Sequence, residues 1–287
     1  MLQISTPENK RIPYHDKVIY KYNKTINSIA IRLIEFNPIL SGSFAMNLVF
    51  SPDSVAGDFD LYFSNLQDYE NAVEYLTSIY EKNFPSTEII TTENATTFTE
   101  WSLQLIKKKF FPPEELIYDH DFINVSVAIT SDSIYTTKET FLAWKNNQLS
   151  LRSFQLDEES KKDKYFVLAK IQDTCMRILK YSNRYSLDVS FQTQEYLLAA
   201  VNYIIESFVD QFFQDGRPAV IAFPDSYPKV LNYSGKEISK IICLHSLFLN
   251  FESIITDSAL STVFKEINPY KDYFNLLRTP SKREFPF

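Results

Sequence analysis

The sequence predicts an α+β fold, with a mixed sheet and helices over residues 1–150 and an all-helical domain over residues 151–287. Three observations predict it. Strand-like runs with period-two alternation, among them DFDLYF (58–63) and FINVSVAIT (122–130), occur only in the first half. Helix-period segments are interleaved with them there. Beyond residue 150 only helical periodicity remains, and no internal repeat appears.

The elements follow in order. Residues 15–36 carry apolar side chains at helical spacing (Val18, Ile19, Tyr22, Ile26, Ile29, Ala30, Leu33 and Ile34), and Pro38 stops that helix. The short run Ile39-Leu40 leads into Ser41-Gly42-Ser43. A second helix is expected over Phe44–Phe50, then a turn-rich loop, SPDSVAG, in which Gly57 delivers Asp58 onto its strand. Residues 67–82 read as a helix ending near Pro85. Glu88–Thr92 and Thr96–Ile106 read as strands. Pro112-Pro113-Glu-Glu opens a short helix, because proline is tolerated in a first turn. Phe122–Thr130 reads as a strand and 138–147 as a helix. The second half then offers helices over 164–184, 193–213 and 236–250, with loops around Gly216 and Gly235 and an aromatic tail, RTPSKREFPF.

Composition excludes several classes. The net charge is −7, and the acidic excess lies wholly in residues 1–150. A general polybasic nucleic-acid binder is therefore excluded, though not a local basic groove. The abundance of Phe and Tyr follows the bias of an A/T-rich genome and is not read as a stacking surface. Cys175 and Cys243 sit in apolar patterns and read as small core side chains. No N-terminal segment resembles a signal peptide, and no run is long enough to span a bilayer. A soluble, cytoplasmic protein is the expectation. The histidines, His15, His120 and His245, show no metal spacing, and there is no nucleophile elbow, Walker loop or CxxC.

The chemistry is concentrated in SGSFAMNLVFSPDSVAGDFDLYF (41–63), which holds two of the four glycines of the chain. Asp58 and Asp60 are two apart on a strand and so point to one face. Paired carboxylates repel unless a cation lies between them, and Mg²⁺ suits such a pair. Gly42 followed by Ser43 at a strand-to-helix turn lets a phosphate approach the backbone, where the helix N-terminus and the Ser43 hydroxyl can donate. A phosphate cradle and a carboxylate pair together read as a nucleoside triphosphate site.

Gly42-Ser43 followed by Asp58-Phe59-Asp60 resembles the hG[GS]…DhD signature of the DNA polymerase beta nucleotidyltransferase superfamily. The stretch LQLIKKKFFPPEELIYDHDFINVSVAI resembles phage and large-virus members of it. The resemblance covers residues 38–185 and implies a nucleotidyltransferase-fold sheet and a Mg²⁺ or Mn²⁺ cofactor. It also implies a third metal-binding carboxylate at Asp121, with Asp119 in reserve. Arg177-Ile-Leu-Lys180-Tyr181-Ser-Asn-Arg184 is similar to the helix that follows the catalytic head in CCA-adding enzymes. Its spacing puts Arg177, Lys180, Tyr181 and Arg184 on one helical face, apt for triphosphate or an RNA backbone. The Arg-Asp pair of CCA-adding enzymes is replaced here by Met46-Asn47, so the CTP/ATP readout of that family is not implied.

The resemblance implies transfer of a nucleoside monophosphate from a triphosphate to a hydroxyl, with an RNA 3′ end as acceptor. Two other readings stand beside it. One is an inactive nucleotide-binding or assembly protein of the same fold. The other is a toxin-like enzyme acting on tRNA or on a protein. His120, between Asp119 and Asp121, can tune a carboxylate or remain a solvated neighbour. Lys107-Lys108-Lys109 can attract a polyanion or remain a solvated turn.

Overall fold

Burial of apolar faces on a central sheet explains most of the architecture. A computed structural model describes residues 2–3, 15–29, 32–52, 58–107, 110–152, 163–212, 220–222, 241–243 and 254. The chain divides into two units, Met1–Ser153 and Phe154–Phe287.

The first unit opens with a short strand β1 (Leu2–Gln3) and a helix α1 (His15–Ile29). Val18, Tyr22 and Ile26 of α1 are buried, and the Tyr22 hydroxyl donates to the Pro38 carbonyl at 2.6 Å. The helix expected over 15–36 ends earlier than its apolar pattern. A separate 3-10 turn, Leu33–Phe36, follows and closes on Asn37 in the left-handed region (φ 49°). Asn tolerates that conformation, and the following Pro38 disfavours helix at its predecessor.

Strand β2 (Ile39–Ser41) runs directly into helix α2 (Gly42–Phe50), and β3 (Phe59–Tyr62) follows. Helix α3 (Leu66–Asn83) is capped by Asn65, whose side chain accepts from the Asp68 N–H. Its stripe Tyr69, Ala72, Leu76 and Tyr80 is buried. Strands β4 (Ile89–Thr91), β5 (Ala95–Phe98) and β6 (Leu103–Ile106) come next.

The single strand expected over 96–106 is instead two, broken by a 3-10 turn at Thr99–Trp101 and by Ser102 at φ 48°. Trp101 explains the break. Its ring meets Tyr80 edge-on at 4.9 Å and stacks near Phe98 at 5.8 Å, a contact that a continuing strand would forfeit. Such aromatic pairs contribute roughly 0.5–1.5 kcal/mol each beyond burial.

Helix α4 (Pro113–Asp119), β7 (Val127–Ile129), β8 (Ile134–Thr136), α5 (Lys138–Lys145) and β9 (Gln148–Leu149) complete the unit. The expected strand 122–130 is real only at its end. Phe122 makes a lone bridge to Leu151, and Ile123–Val125 form a 3-10 turn before β7 begins. The local reason is hydrogen bonding. The Ser126 hydroxyl turns back to the Phe122 carbonyl (3.2 Å), and the Asn124 amide reaches the Gln148 carbonyl (2.8 Å). Strands β1, β8 and β9 were too short to show an alternation in the sequence.

The sheet order is β1-β8-β7-β2-β3-β6-β5-β4. The β3–β6 pair is parallel, and the other paired neighbours described in this sheet are antiparallel. The sheet is therefore mixed and the class is α+β. Register separates its two faces. Leu40, Leu61, Leu105 and Thr96 lie in one row. The Tyr69 hydroxyl of α3 bonds Thr96 at 2.9 Å, which puts α3 over that face. The opposite row runs Tyr135, Ala128, Ser41, Asp60, Gln104, Thr97. Leu116 and Ile117 of α4 cover its first part, packing with Ile39, Ala128 and Tyr135. Asp60, Gln104 and Thr97, at the other end of the row, are only half-buried.

The second unit contains α6 (Lys164–Tyr185), a short strand β10 (Asp188–Val189) and α7 (Phe191–Phe212). Asp163 caps α6 by accepting from the Tyr165 and Phe166 N–H groups. A two-stranded antiparallel ladder, β11 (Val220–Ala222) with β12 (Ile241–Cys243), replaces the middle of the helix expected over 236–250. The run Ile241-Ile242 is β-branched, which favours an extended chain. Cys175 is buried and free. The tail, Gly216, Gly235 and His245 lie outside the described residues.

Candidate active site

The site forms where β2 ends, α2 begins and β3 runs alongside. Ser41 is the N-cap of α2 and pairs with Asp60 across the β2–β3 ladder. Its hydroxyl does not cap the helix. It donates to the Val127 carbonyl at 2.6 Å and lies 2.7 Å from His120 Nε2, so the ring N–H donates to it. Gly42 then takes φ +75°, a left-handed conformation that glycine accepts freely. A Cβ at that position would stand 3.1 Å from Asp60 Oδ2 and 4.0 Å from its Cγ. The glycine is thus required twice, by backbone angle and by the closeness of a carboxylate.

Ser43 is buried in the first turn of α2. Asp58, immediately before β3, is exposed and Asp60 is half-buried. Strand alternation gives the two carboxylates a common face. The intervening Phe59 turns the other way, its ring 3.9 Å from that of Phe44 on α2, while its N–H donates to the Ser102 carbonyl at 2.7 Å. Those contacts fix the strand between the two acids. Gly57 and the preceding loop lie outside the described residues.

Asp121 follows α4. Its Oδ1 accepts from the Phe122 N–H at 3.0 Å, and its carbonyl accepts from the Arg152 N–H at 2.7 Å, so it shapes the turn after α4. Among the described residues no three His, Cys, Asp or Glu side chains converge to hold a metal ion. Asp119 is the last residue of α4. The Asp58–Asp60 pair by itself fits a hard divalent cation that keeps several water or phosphate ligands.

Arg152 escaped the sequence reading. Its Nη2 donates to Ser126 Oγ at 2.9 Å and to the Ile117 carbonyl at 3.4 Å, and its guanidinium lies 5.1 Å from the centre of the Tyr118 ring. Burial holds its pKa below the ordinary arginine value, opposed by Glu139 and Tyr118. It braces the turn that carries Asp119, His120 and Asp121. Asn47, four residues beyond Ser43, is 3% exposed, and its amide oxygen and nitrogen have no hydrogen-bond partner among the described residues.

The basic helix α6 belongs to the second unit. Tyr181 is buried there, Arg184 is exposed, and Lys180 Nζ lies 5.9 Å from the Tyr181 ring centre. Arg177 and Lys180 are half-buried. Tyr181 serves the core, with the three cations around it on the same helix. Lys108 and Lys109 lie outside the described residues.

Comparison with known proteins adds the following. A family model described as Gad2, Gabija anti-defense 2 family protein, matches residues 14–148. No curated protein matches the chain. Among solved structures, the CCA-adding enzyme of Thermotoga maritima complexed with tRNA is similar at 12% identity and a TM-score of 0.46, over 95% of this chain and 57% of that one. A CCA-adding enzyme in complex with CTP is similar at 14% identity and TM-score 0.45, over 67% and 46%. A tRNA-processing enzyme in an apo form is similar at 15% identity and TM-score 0.42, over 74% and 55%. The chain spans about half the length of these structures.

Proposed function

We propose that the chain is a metal-dependent nucleotidyltransferase that moves a nucleoside monophosphate from a triphosphate to a hydroxyl, with an RNA 3′ end as acceptor. The observation that carries the reading is Gly42: a positive-φ glycine at a helix N-terminus, placed against the carboxylate of Asp60. In this reading the first turn of α2, with Ser43, receives the β- and γ-phosphates. Asp58 and Asp60 hold Mg²⁺ or Mn²⁺. The bound cation would supply charge neutralisation at the phosphates and a lowered pKa for the attacking hydroxyl. Asp121 is assigned to the turn that sets His120 against Ser41, with metal binding as the alternative role. Arg177, Lys180 and Arg184 are assigned to triphosphate or acceptor backbone.

The test is incubation with each labelled triphosphate, total RNA and Mg²⁺ or Mn²⁺. Labelled RNA from the parent and none from Asp58→Ala or Asp60→Ala supports the reading. Transfer by the double variant at the parent's rate refutes it. Tight nucleotide binding without product supports the inactive binder instead.

The match over residues 14–148 favours a setting for this chemistry, in which the chain counteracts a Gabija defence. Cells carrying that defence should lose protection against a restricted phage when the parent chain is expressed, and keep it with Asp60→Ala. Equal loss with both would separate the anti-defence effect from the chemistry.

A further inference from the structure

We infer that Gln104, with Thr97 behind it, forms the seat for a ribose hydroxyl of the acceptor strand. The inference rests on the transferase reading of Asp58 and Asp60.

Register places these residues. Gln104 is the direct partner of Asp60 in the parallel β3–β6 pair, and Thr97 is the direct partner of Gln104 in the antiparallel β5–β6 pair. Residues in register on neighbouring strands share a face and are separated by about 5 Å. Asp60, Gln104 and Thr97 thus form a polar row beside the part of the sheet on which Leu116 and Ile117 of α4 pack. All three are half-buried. The alternation of β6 is otherwise apolar inward, with Leu103 and Leu105 fully buried under the opposite face. Gln104 is therefore outward by pattern.

Sides matter as much as adjacency. The Gly42 turn flanks Asp60 from the β2 side. Gln104 flanks it from the β6 side. If the phosphates enter over Gly42, the second reactant approaches the carboxylate from the side of Gln104. A carboxamide is neutral and offers both a donor and an acceptor. It matches a hydroxyl that must donate one bond and accept another, and it is a poor replacement for a charged metal ligand. The Thr97 hydroxyl, one strand further out, can engage the neighbouring oxygen of a vicinal diol.

The experiment measures binding and needs no turnover. Two RNA oligonucleotides of one sequence, ending in 3′-hydroxyl or 3′-deoxy ribose, are titrated against the parent chain, Gln104→Ala and Gln104→Glu by fluorescence anisotropy. The parent should prefer the 3′-hydroxyl end by about tenfold, and both variants should bind the two ends equally. Gln104→Glu keeps the side-chain length, so its result stands if Gln104→Ala folds poorly. Mg-nucleotide affinity should change by less than about twofold in Gln104→Ala, the variant that adds no charge beside Asp60. Equal binding of both ends by the parent, or preference retained in the variants, overturns the inference. Discrimination that depends on Gln104 in a chain that never transfers nucleotide would uphold it and refute the transferase reading instead.

Discussion

Replacement of Gly42 by alanine tests the site at its tightest point. Two terms add. At φ +75° a side chain meets its own backbone, which costs about 1–2 kcal/mol. The new Cβ would also stand 3.1 Å from Asp60 Oδ2, so the carboxylate must withdraw by a few tenths of an ångström. The first term is a stability effect. It should appear in urea unfolding of the parent and the variant as a loss of about 1–2 kcal/mol. The second is local to the site. A misplacement of 1 Å at a reacting centre can cost about a hundredfold in rate, so a shift of a few tenths predicts a loss of roughly tenfold or more. The assay is NMP transfer to RNA, with Mg-nucleotide affinity measured by calorimetry at a temperature where both chains are fully folded. If stability falls while affinity and transfer match the parent, the glycine serves the turn alone and the phosphate-cradle argument is refuted.

Four other outcomes are expected. Asp60→Asn should abolish transfer, whereas Asp121→Asn should retain it to within about tenfold, since the Asp121 Oδ1 contact is one that an amide oxygen also accepts; equal loss in both would restore Asp121 as a ligand. Asn47→Leu should stabilise the chain by about 1 kcal/mol in urea unfolding, because a buried amide without partners is replaced by an apolar side chain of similar shape. Burial, then Asp132, raises the Tyr22 phenol above its usual value of 10.0, so the native chain keeps a proton that the unfolded chain gives up. That contribution is whole below about pH 10 and is lost as pH rises beyond it, and Tyr22→Phe should flatten the alkaline limb of the stability curve. Burial likewise pushes the Cys175 thiol up, and iodoacetamide at pH 8 should leave it unmodified in the native protein.

Legibility in the sequence followed the physics of each signal. The α3 stripe and β3 were readable because burial on one face imposes a period that composition cannot hide, whereas α2 begins at Gly42, two residues before the expected Phe44. Gly42 was readable for the opposite reason, as a residue without a side chain in a chain that seldom uses one. The break at Trp101 was not, because alternation through Phe98, Leu103 and Leu105 continues across it, and the cause is an aromatic contact to Tyr80, distant in sequence. Gln104 drew no attention for a similar reason. A lone glutamine in LQLI has no spacing signature, and its partnership with Asp60 exists only in the register of two strands. Arg152 and the Ser41–His120 bond are likewise tertiary facts.

The parallel pairing of β3 with β6 has a consequence for how such a chain can change. The strand that bears Asp60 takes one neighbour from the residues just before it and the other from across a crossover through α3, β4 and β5. The glycine turn and the β5–β6 pair that flank Asp60 are therefore written in separate stretches of the gene. Substitution in β5 or β6 can change one flank of Asp60 while the glycine turn keeps its geometry.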